Sequence, residues 1–405
     1  MNDFVSELRC ELAAIRAAGL HRELRRIESR AGERIRWQGR ELVNFSSNDY
    51  LGLASHPAVI EAAARAARDW GGGAGASRLI CGSLAVHHEL EEALARFKGV
   101  EAALTFSSGH AAALGGIPAL VGHGDVVILD KLAHACLVDG ARLSGARLRV
   151  YAHNDLDELR DLLRWADNRQ RTDAASADRR ARTLIVTESV FSMDGDRAPL
   201  RQLVDLKDQF GAWLWLDEAH AVGLYGERRR GLAEAEGVAG RIEVQMGTLG
   251  KALGSAGGYL CGSRELVDLL INRARSFIFS TAPTPAAAAA AQAALTVLES
   301  PSGVELTGQL WRRVAKVRDL AAAAGWPLPP SAGAILPLKV GDEQKCVECA
   351  ARLRAAGVFI PAIRFPAVPR GTARLRLTVA AHPHDDDLET LSRALAAVGP
   401  QRLGT

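Results

Sequence analysis

The sequence predicts an α/β fold with a large domain on a mostly parallel seven-stranded sheet and a small C-terminal α/β domain. Seven short apolar runs alternate with helical stretches between residues 102 and 261. Several runs are apolar at consecutive positions, which is typical of strands that are covered by helices on both faces. After about residue 300 the order of helices and strands changes, which indicates the second domain.

The elements follow from local patterns in chain order. A charged amphipathic helix is predicted over residues 3–30, followed by a short polar strand pair and by helices near 57–69 and 85–98. The seven strands are predicted at 102–106, 126–129, 148–151, 183–187, 213–216, 243–246 and 258–261. The alanine-rich stretch 286–294 favours a helix because alanine has the highest helix propensity. Beyond it the pattern predicts a long helix to about 325, strands at 335–340, 358–363 and 373–379, and a last helix.

These patterns divide the chain into three parts. We expect an N-terminal helix and arm at 1–50, a large domain at 51–295 and a small C-terminal domain at 296–405.

Composition and charge exclude several functional classes. The 405 residues carry 50 basic and 47 acidic side chains, and a net charge of +3 is no signature of a polyanion-binding protein. No apolar run approaches the about 18 residues of a membrane-spanning helix, and the charged N-terminal segment lacks an apolar signal core. We therefore expect a cytoplasmic protein with no nucleic-acid partner and no membrane partner.

The cysteines indicate neither disulfides nor a metal. Six cysteines in 405 residues are too few for a disulfide framework. Cys346 and Cys349 form a C-x-x-C motif, but no second pair exists and the stretch Gln344–Arg354 has a helical pattern. No metal site is predicted.

Lysine is scarce, which limits the candidates for an amine nucleophile to seven. Lys251 lies in the segment GTLGKALGSAGG, where small residues leave room for a bulky group beside the amine. Lys131 follows a predicted strand and is the rival candidate, whereas Lys339 ends one. Solvated helix faces are predicted for Lys98, Lys207, Lys316 and Lys345.

A carboxylate stands 34 residues before Lys251, which is enough chain for one helical crossover to an adjacent strand. The apolar run 214–216 ends in Asp217, and His220 follows three residues later. Ligands of open α/β sheets bind beyond the carboxyl ends of the strands. A pyridoxal 5′-phosphate (PLP) enzyme needs this pair: a lysine to hold the cofactor as a Schiff base and a carboxylate to keep the pyridine nitrogen protonated. Taken alone, Asp217 would also suit a turn or a helix cap.

Three further segments each allow two interpretations. The turn at 106–112 contains Gly109 and His110 and opens a helix whose free N–H groups favour a phosphate, although many α/β turns look alike. His134 follows a strand and suits stacking on a flat ring, or an ordinary loop position. Ser192 lies in a polar turn and fits a cofactor contact or a cap. His153 is predicted to be a surface residue.

The C-terminal segment AIRFPAVPRGTARLRLT contains a pair of strand arginines. Arg374 and Arg376 point to the same face of the predicted strand because their positions differ by two. A strand arginine can hold a carboxylate through two parallel hydrogen bonds, and the alternative is a solvated charge at a sheet edge.

Taken together, these motifs resemble the α-oxoamine synthases, which are fold-type-I PLP enzymes. The resemblance extends from about residue 15 to 395 and rests on the stretches NFSSNDYLGL, RVYAHND, TESVFSMDGD, LDEAHAVGLYGERRRG and AIRFPAVPRGTARLRLT. It implies that Lys251 is the Schiff-base lysine, that Asp217 pairs with the pyridinium nitrogen and that His134 stacks on the ring. The other cofactor contacts it implies are Gly109, His110, Ser192, His220, Thr248 and Thr281. On the substrate side it implies Arg22, Asn48, His134, Ala367 and Arg376.

The resemblance also implies a reaction and an assembly. We expect a homodimer that joins L-alanine to pimeloyl-CoA or a related acyl thioester with loss of CO2. Condensation of glycine with acetyl-CoA is the nearest alternative, and an aminotransferase on the same fold is a further one. A catalytically inactive partner subunit is disfavoured because Lys251 and Asp217 are both present.

Two positions depart from the family pattern. His110 stands where the family usually has an aromatic residue, and Ala367 stands where the members with the most similar motifs have a threonine. The second departure leaves the acyl-chain preference open.

Overall fold

The computed structural model describes residues 3–173, 181–329, 333–381 and 385–400. The chain divides into two compact units. The larger unit contains Asn48–Ser192 and Asp196–Gly308, and the smaller contains Met1–Ser47, Met193–Gly195 and Gln309–Thr405. No helix in the described ranges is both long and apolar enough to cross a membrane.

The described elements alternate much as the sequence predicts. The helices are α1 (Phe4–Ala17), α2 (Pro57–Trp70), α3 (Ala85–Lys98), α4 (Gly109–Leu120), α5 (Ala135–Leu143), α6 (Leu156–Asp173), α7 (Leu200–Phe210), α8 (Leu232–Ala235), α9 (Arg264–Arg273), α10 (Arg275–Ile278), α11 (Pro285–Glu299), α12 (Pro301–Ala323), α13 (Glu343–Ala355) and α14 (Asp385–Ala397). The strands are β1 (Arg34–Trp37), β2 (Arg40–Asn44), β3 (Ala102–Phe106), β4 (Val126–Asp130), β5 (Arg147–Tyr151), β6 (Thr183–Glu188), β7 (Trp213–Asp217), β8 (Val244–Thr248), β9 (Gly258–Gly262), β10 (Ile335–Gly341), β11 (Val358–Phe359), β12 (Ala362–Ile363) and β13 (Ala373–Thr378).

The larger unit is built on a seven-stranded sheet in the order β3-β9-β8-β7-β6-β4-β5. The pairs β5–β4, β4–β6, β6–β7 and β7–β8 are parallel, and only β9 runs antiparallel to its neighbours β8 and β3 within the described sheet. All residues of β3, β4, β6 and β9 are buried, as expected for a sheet covered on both faces. The predicted mostly parallel seven-stranded sheet is confirmed.

Small residues allow two backbone segments to approach each other at the start of α4. A Cβ atom added to Gly258 would lie 2.4 Å from the backbone nitrogen of Gly109, so β9 can begin against the start of α4 only with glycine there. Ser108 caps this helix, because its Oγ accepts a hydrogen bond from the Ala111 N–H at 3.0 Å. The first turn of α4 is therefore capped and packed against the start of β9.

The smaller unit contains two three-stranded sheets, in the orders β1-β2-β11 and β10-β13-β12. Strand β13 is central, and each of its six residues is buried. This overturns the solvated-edge interpretation of Arg374 and Arg376, which are 5 % and 6 % exposed. In the other sheet, Arg34 of β1 pairs with the buried Asp387 of α14 at 2.7 Å.

Two predictions about charged segments are wrong. The N-terminal helix ends at Ala17, not near 30, because Gly19 has a φ of +66° and turns the chain out of the helix. Lys98 and Lys207 are buried instead of solvated. The Lys98 Nζ atom lies 2.6 Å from Glu218, and the Lys207 Nζ atom lies 2.6 Å from Glu243, so carboxylates from distant parts of the chain compensate both charges.

Candidate active site

The site of the larger unit follows from the direction of its strands. Strands β3, β4, β6, β7 and β8 all run the same way, so their carboxyl ends meet at one edge of the sheet. The predicted cofactor residues that follow these ends within four positions are Gly109, His110, His134, Ser192, His220 and Lys251. The fold therefore brings to one edge residues that lie up to 142 positions apart in the sequence.

Lys251 lies in a loop that is hydrogen-bonded to itself. Thr248 Oγ1 accepts from the Gly250 N–H at 3.2 Å and donates to the Gly257 carbonyl at 3.1 Å. The Gly254 N–H donates to the Lys251 carbonyl at 2.9 Å. These bonds fix the backbone of the loop on both sides of Lys251.

Three side chains form a line of hydrogen bonds that ends at the lysine amine. The Lys251 Nζ atom lies 2.7 Å from Nε2 of His220, and Nδ1 of His220 lies 2.6 Å from the Tyr50 hydroxyl. Tyr50 is fully buried and His220 is 5 % exposed. Because Tyr50 occupies one ring nitrogen, the other is directed at the amine and can exchange a proton with it.

Two acids are buried next to each other at this edge. Asp217 ends β7, Glu188 ends β6, and the two residues are partners in the parallel register. Burial raises the pKa of Asp217, while the positive charge of Lys251 opposes that shift. Burial, and then the charge of Asp217, raises the pKa of Glu188 well above its ordinary value. One Glu188 oxygen, Oε1, is buried without a hydrogen-bond partner among the described residues.

His134 has a defined tautomer. Its Nδ1 accepts a hydrogen bond from the Cys136 N–H at 3.2 Å and lies 3.0 Å from the Cys136 thiol. Since a backbone N–H can only donate, the neutral imidazole carries its proton on Nε2. His134 is partly exposed, yet the burial of the remainder lowers the pKa of its imidazole. His134 is therefore a neutral Nε2–H donor at neutral pH.

The start of α4 offers backbone N–H groups to an anion. The first turn of a helix leaves such groups without helical partners, and here the turn opens with Gly109 and His110. A Cβ atom on Gly109 would lie 3.8 Å from the Thr248 side chain, so the Lys251 loop passes beside this turn. His110 itself is exposed and close enough for its charge to lower the pKa of His134.

The other predicted residues differ in their burial and in the unit that contains them. Ser192 is buried and Asn48 is half-buried in the larger unit, whereas Thr281 is exposed and forms a β-bridge with Ser77. The structure places Arg22, Ala367 and Arg376 in the smaller unit.

In the smaller unit, Arg22 and Ala367 line one cavity of about 350 Å³. Arg22 donates to the Phe365 carbonyl at 2.9 Å. The other residues of the wall are His21, Glu23, Arg25, Val347, Ala350, Arg354, Pro361, Ala362, Ile363 and Arg364. Burial, and then the charge of Arg25, lowers the pKa of Arg354, as expected where like charges meet.

Sequence reasoning missed Tyr50, Glu188 and Cys136. Tyr50 and Glu188 are inside the quoted stretches NFSSNDYLGL and TESVFSMDGD. Glu188 directly follows the predicted strand 183–187, as Asp217 directly follows the predicted strand 213–216, and this shared position was the available signal. Nothing in the sequence pairs Tyr50 with a histidine 170 positions away.

Comparison with known proteins agrees with this geometry. The family model for class I and II aminotransferases matches residues 40–395. The chain belongs to this family. Its members use PLP, and PLP is the cofactor of this enzyme. The predicted kinship with the α-oxoamine synthases is also confirmed.

Individual relatives cover nearly the whole chain. An 8-amino-7-oxononanoate synthase of Geobacter sulfurreducens is 49 % identical over 391 residues, which are 96 % of this chain and 97 % of that protein. One of Thermoanaerobacter pseudethanolicus is 41 % identical and covers 98 % of this chain and 97 % of its own. Among solved structures, a serine palmitoyltransferase from S. paucimobilis superposes with a TM-score of 0.90 at 27 % identity and full coverage of both chains. An 8-amino-7-oxononanoate synthase from Francisella tularensis has a TM-score of 0.72 at 25 % identity, over 88 % of this chain and 97 % of that one.

The residues of this member of the family fit PLP. A primary amine, a buried carboxylate and the start of a helix are what an aldehyde, a pyridine nitrogen and a phosphate require. Asp217 is a buried carboxyl group, and a protonated ring nitrogen would compensate the negative charge that burial disfavours. Lys251, Asp217 and the first turn of α4 would hold the cofactor.

Proposed function

We propose that this enzyme condenses L-alanine with pimeloyl-CoA or a related pimeloyl thioester. The products are 8-amino-7-oxononanoate, CO2 and the free thiol, and the step belongs to biotin synthesis. The names of the relatives support this assignment, as does the line of Tyr50, His220 and Lys251, which provides a proton acceptor at the required edge of the sheet.

Four residues of the larger unit have a proposed task in this reaction. Bound PLP supplies an electron sink for the charge left on the alanine Cα. Lys251 Nζ takes the Cα proton, and His220 Nε2 at 2.7 Å can share it. The Asp217 carboxylate compensates the positive ring nitrogen, and His134 offers its Nε2–H to the substrate.

Arg376 is the proposed holder of the alanine carboxylate. The competing arginine of β13, Arg374, forms an ion pair with Asp194 within the smaller unit. Arg376 donates to Thr378 Oγ1 at 3.0 Å, and the resemblance to the α-oxoamine synthases assigns the carboxylate to this arginine. The planar guanidinium would then fix the carboxylate through two hydrogen bonds.

The arginine-rich cavity of the smaller unit supports the proposal that the acyl chain of the substrate ends in a negative charge. Its wall contains four arginines against one acid, Glu23. The side chains of Arg25 and Arg354 have no hydrogen-bonded or ion-paired acid in the described part of the chain. A pimeloyl group ends in a carboxylate and an acetyl group does not, so this cavity favours pimeloyl over acetyl thioesters.

The enzyme is therefore expected to distinguish acyl groups by their terminal charge. Its kcat/KM for pimeloyl-CoA should exceed that for heptanoyl-CoA, which has the same chain length without the carboxylate. A charge-assisted hydrogen bond contributes about 1.5–3 kcal/mol, which corresponds to about 10- to 150-fold. A coupled assay of CoA release with L-alanine measures both values.

The same assay tests the arginines. Arg354→Gln should reduce kcat/KM for pimeloyl-CoA and leave heptanoyl-CoA unaffected, whereas the control Arg393→Gln, on the exposed face of α14, should change neither. Equal rates with the two acyl groups would contradict the role of the cavity. A preference for glycine with acetyl-CoA would replace the proposed function by its alternative.

The proposed assembly is a homodimer with shared active sites. The bridge between Ser77 and Thr281 brings together two segments whose large apolar side chains are exposed. Leu79 is 50 %, Ile80 is 77 % and Phe279 is 72 % exposed, which is unusual for side chains of this size. A second copy of the chain would cover them.

Shared sites predict complementation between two inactive variants. Mixing Lys251→Ala chains with Asn48→Ala chains should restore part of the activity, because a mixed dimer has one site with both native residues. Activity measured after joint refolding, with each variant refolded alone as the control, checks this. No recovery in isolated mixed dimers would show that Asn48 acts within its own subunit.

A further inference from the structure

His153, predicted to be a surface residue, instead lies between two carboxylates of the larger unit. Its Nδ1 is 2.9 Å from Asp130 Oδ1, and its Nε2 is 2.6 Å from Asp196 Oδ2. Asp130 is fully buried, Asp196 is mostly buried, and the His153 side chain is 23 % exposed. The edge of its ring packs on Phe191, with 4.3 Å between the ring centroids.

Both acceptors are carboxylates, so both ring nitrogens of His153 must donate, and only an imidazolium can do this. Burial alone would lower the pKa of His153, but the hydrogen bonds and charges of Asp130 and Asp196 raise it to about 10. The unfolded value is about 6.5. This contribution to stability is therefore complete below about pH 6.5 and is lost as the pH rises through about 10.

The first of the two carboxylates, Asp130, connects His153 to the turn before His134. Asp130 ends β4 and accepts from the Leu132 N–H at 2.8 Å through Oδ1, while its backbone carbonyl accepts from the Ala133 N–H at 3.1 Å. Asp130 thus shapes the turn whose next residue is His134. The Asn154 N–H, next to His153, donates to Asp130 Oδ2 at 3.0 Å and strengthens this connection.

The second carboxylate, Asp196, connects His153 to the segment around Ser192. The Phe191 N–H donates to the Asp196 carbonyl at 2.9 Å, and Val190 bridges to Arg197. The segment around Ser192 is therefore a narrow hairpin, and Asp196 lies in its returning arm. His153 holds that arm through its carboxylate and packs on Phe191, the residue directly before Ser192.

We propose that His153 is a positioning residue of the proposed reaction, which clamps Asp130 and Asp196 together and so fixes the loops that carry His134 and Ser192. The inference rests on the proposed function for its kinetic part only. The doubly hydrogen-bonded imidazolium and its effect on the bound cofactor do not depend on which acyl group is used.

The first experiment measures the proton state of His153 directly. In the holoenzyme with ¹⁵N-labelled histidine, one imidazole should keep both nitrogens protonated at pH 8, and this signal should be missing in His153→Gln. Asp196→Asn, which keeps the size of the side chain, should return the titration of the same imidazole towards neutral pH. An imidazole at this position that loses its proton near pH 6.5 would overturn the proposal.

The second experiment separates positioning from a merely structural role. His153→Gln should lower kcat about 10- to 100-fold, the cost of a small misplacement of catalytic groups, with a smaller change in KM. The pH profile of the visible absorbance of bound PLP should shift as well. His123→Gln makes the same substitution at an exposed histidine, and its absorbance profile and kcat should equal those of the parent.

A folded His153→Gln enzyme with parental kcat and an unshifted absorbance profile would overturn the proposal. Should that variant not fold, Asp196→Asn is put to the same two measurements with the same expectations. If the parent turns over another acyl thioester better than pimeloyl-CoA, the proposed substrate is wrong. The kinetic comparison is then made with the preferred substrate, and the absorbance and proton-state results still decide the role of His153.

Discussion

Lys251→Ala is expected to lower the rate of CoA release by about 10³-fold or more. In the proposed reaction the substitution removes both the amine that would anchor PLP and the base that would take the Cα proton, and a positioned proton acceptor alone contributes about 10²- to 10⁴-fold. No other described lysine is placed as Lys251 is, with its Nζ 2.7 Å from a buried histidine at the carboxyl edge of the sheet. Steady-state kinetics with saturating PLP measures the loss.

The control for this result is the rival lysine. Lys131 is exposed in the turn after β4, so Lys131→Ala should keep most of the activity. Borohydride reduction of the holoenzyme followed by peptide mapping should label Lys251. A label on Lys131, or equal losses in the two alanine variants, would refute the assignment.

The elements of the large sheet could be predicted because each strand has its own signal. In β4 and β6 every residue is buried, so the requirement for apolar side chains applies at each position and not at alternate ones. The proposed cofactor residues Lys251, Asp217 and His134 could be brought to one edge of the sheet from the sequence for a related reason. They follow strands that the sequence already predicts, and the carboxyl ends of parallel strands share one edge.

Charge partners could not be predicted, because they come from distant parts of the chain. Lys98 was expected in solvent, yet Glu218 compensates its charge from 120 positions away. His153 was expected at the surface for the same reason, since Asp130 and Asp196 become its neighbours only when β4, β5 and β6 pair. Local sequence gives the polarity of a side chain, and the fold decides which opposite charge it meets.

The acid beside Asp217 shows a further limit of sequence reasoning. Glu188 and Asp217 each end a strand, and either could have been chosen as the acid that pairs with the ring nitrogen. Burial raises the pKa of both, but the charge of Asp217 adds to the effect on Glu188, whereas the charge of Lys251 opposes the effect on Asp217. Asp217 is therefore the acid that ionises more readily of the two, and it is the better candidate for the partner of the ring nitrogen.

This difference between the two acids leads to the second large effect. Asp217→Asn is expected to reduce kcat/KM about 30- to 4,000-fold, because breaking a buried charge pair on one side costs about 2–5 kcal/mol. The fold should be retained, since an asparagine Oδ1 can still accept the hydrogen bond that the Ala219 N–H donates at 2.8 Å. Circular dichroism checks the fold, and titration with PLP checks whether the cofactor still binds.

The matched control is the same replacement of a carboxyl group by an amide at Glu188, which ends the neighbouring strand. Glu188→Gln replaces the acid whose pKa is raised further, so its loss of activity should be much smaller than that of Asp217→Asn. Equal losses would mean that the two acids share the charge, and an Asp217→Asn enzyme within about threefold of the parent, under 1 kcal/mol, would place the partner of the ring nitrogen elsewhere. The comparison isolates charge from position, because both substitutions keep the side-chain volume and both residues lie at the end of a buried strand.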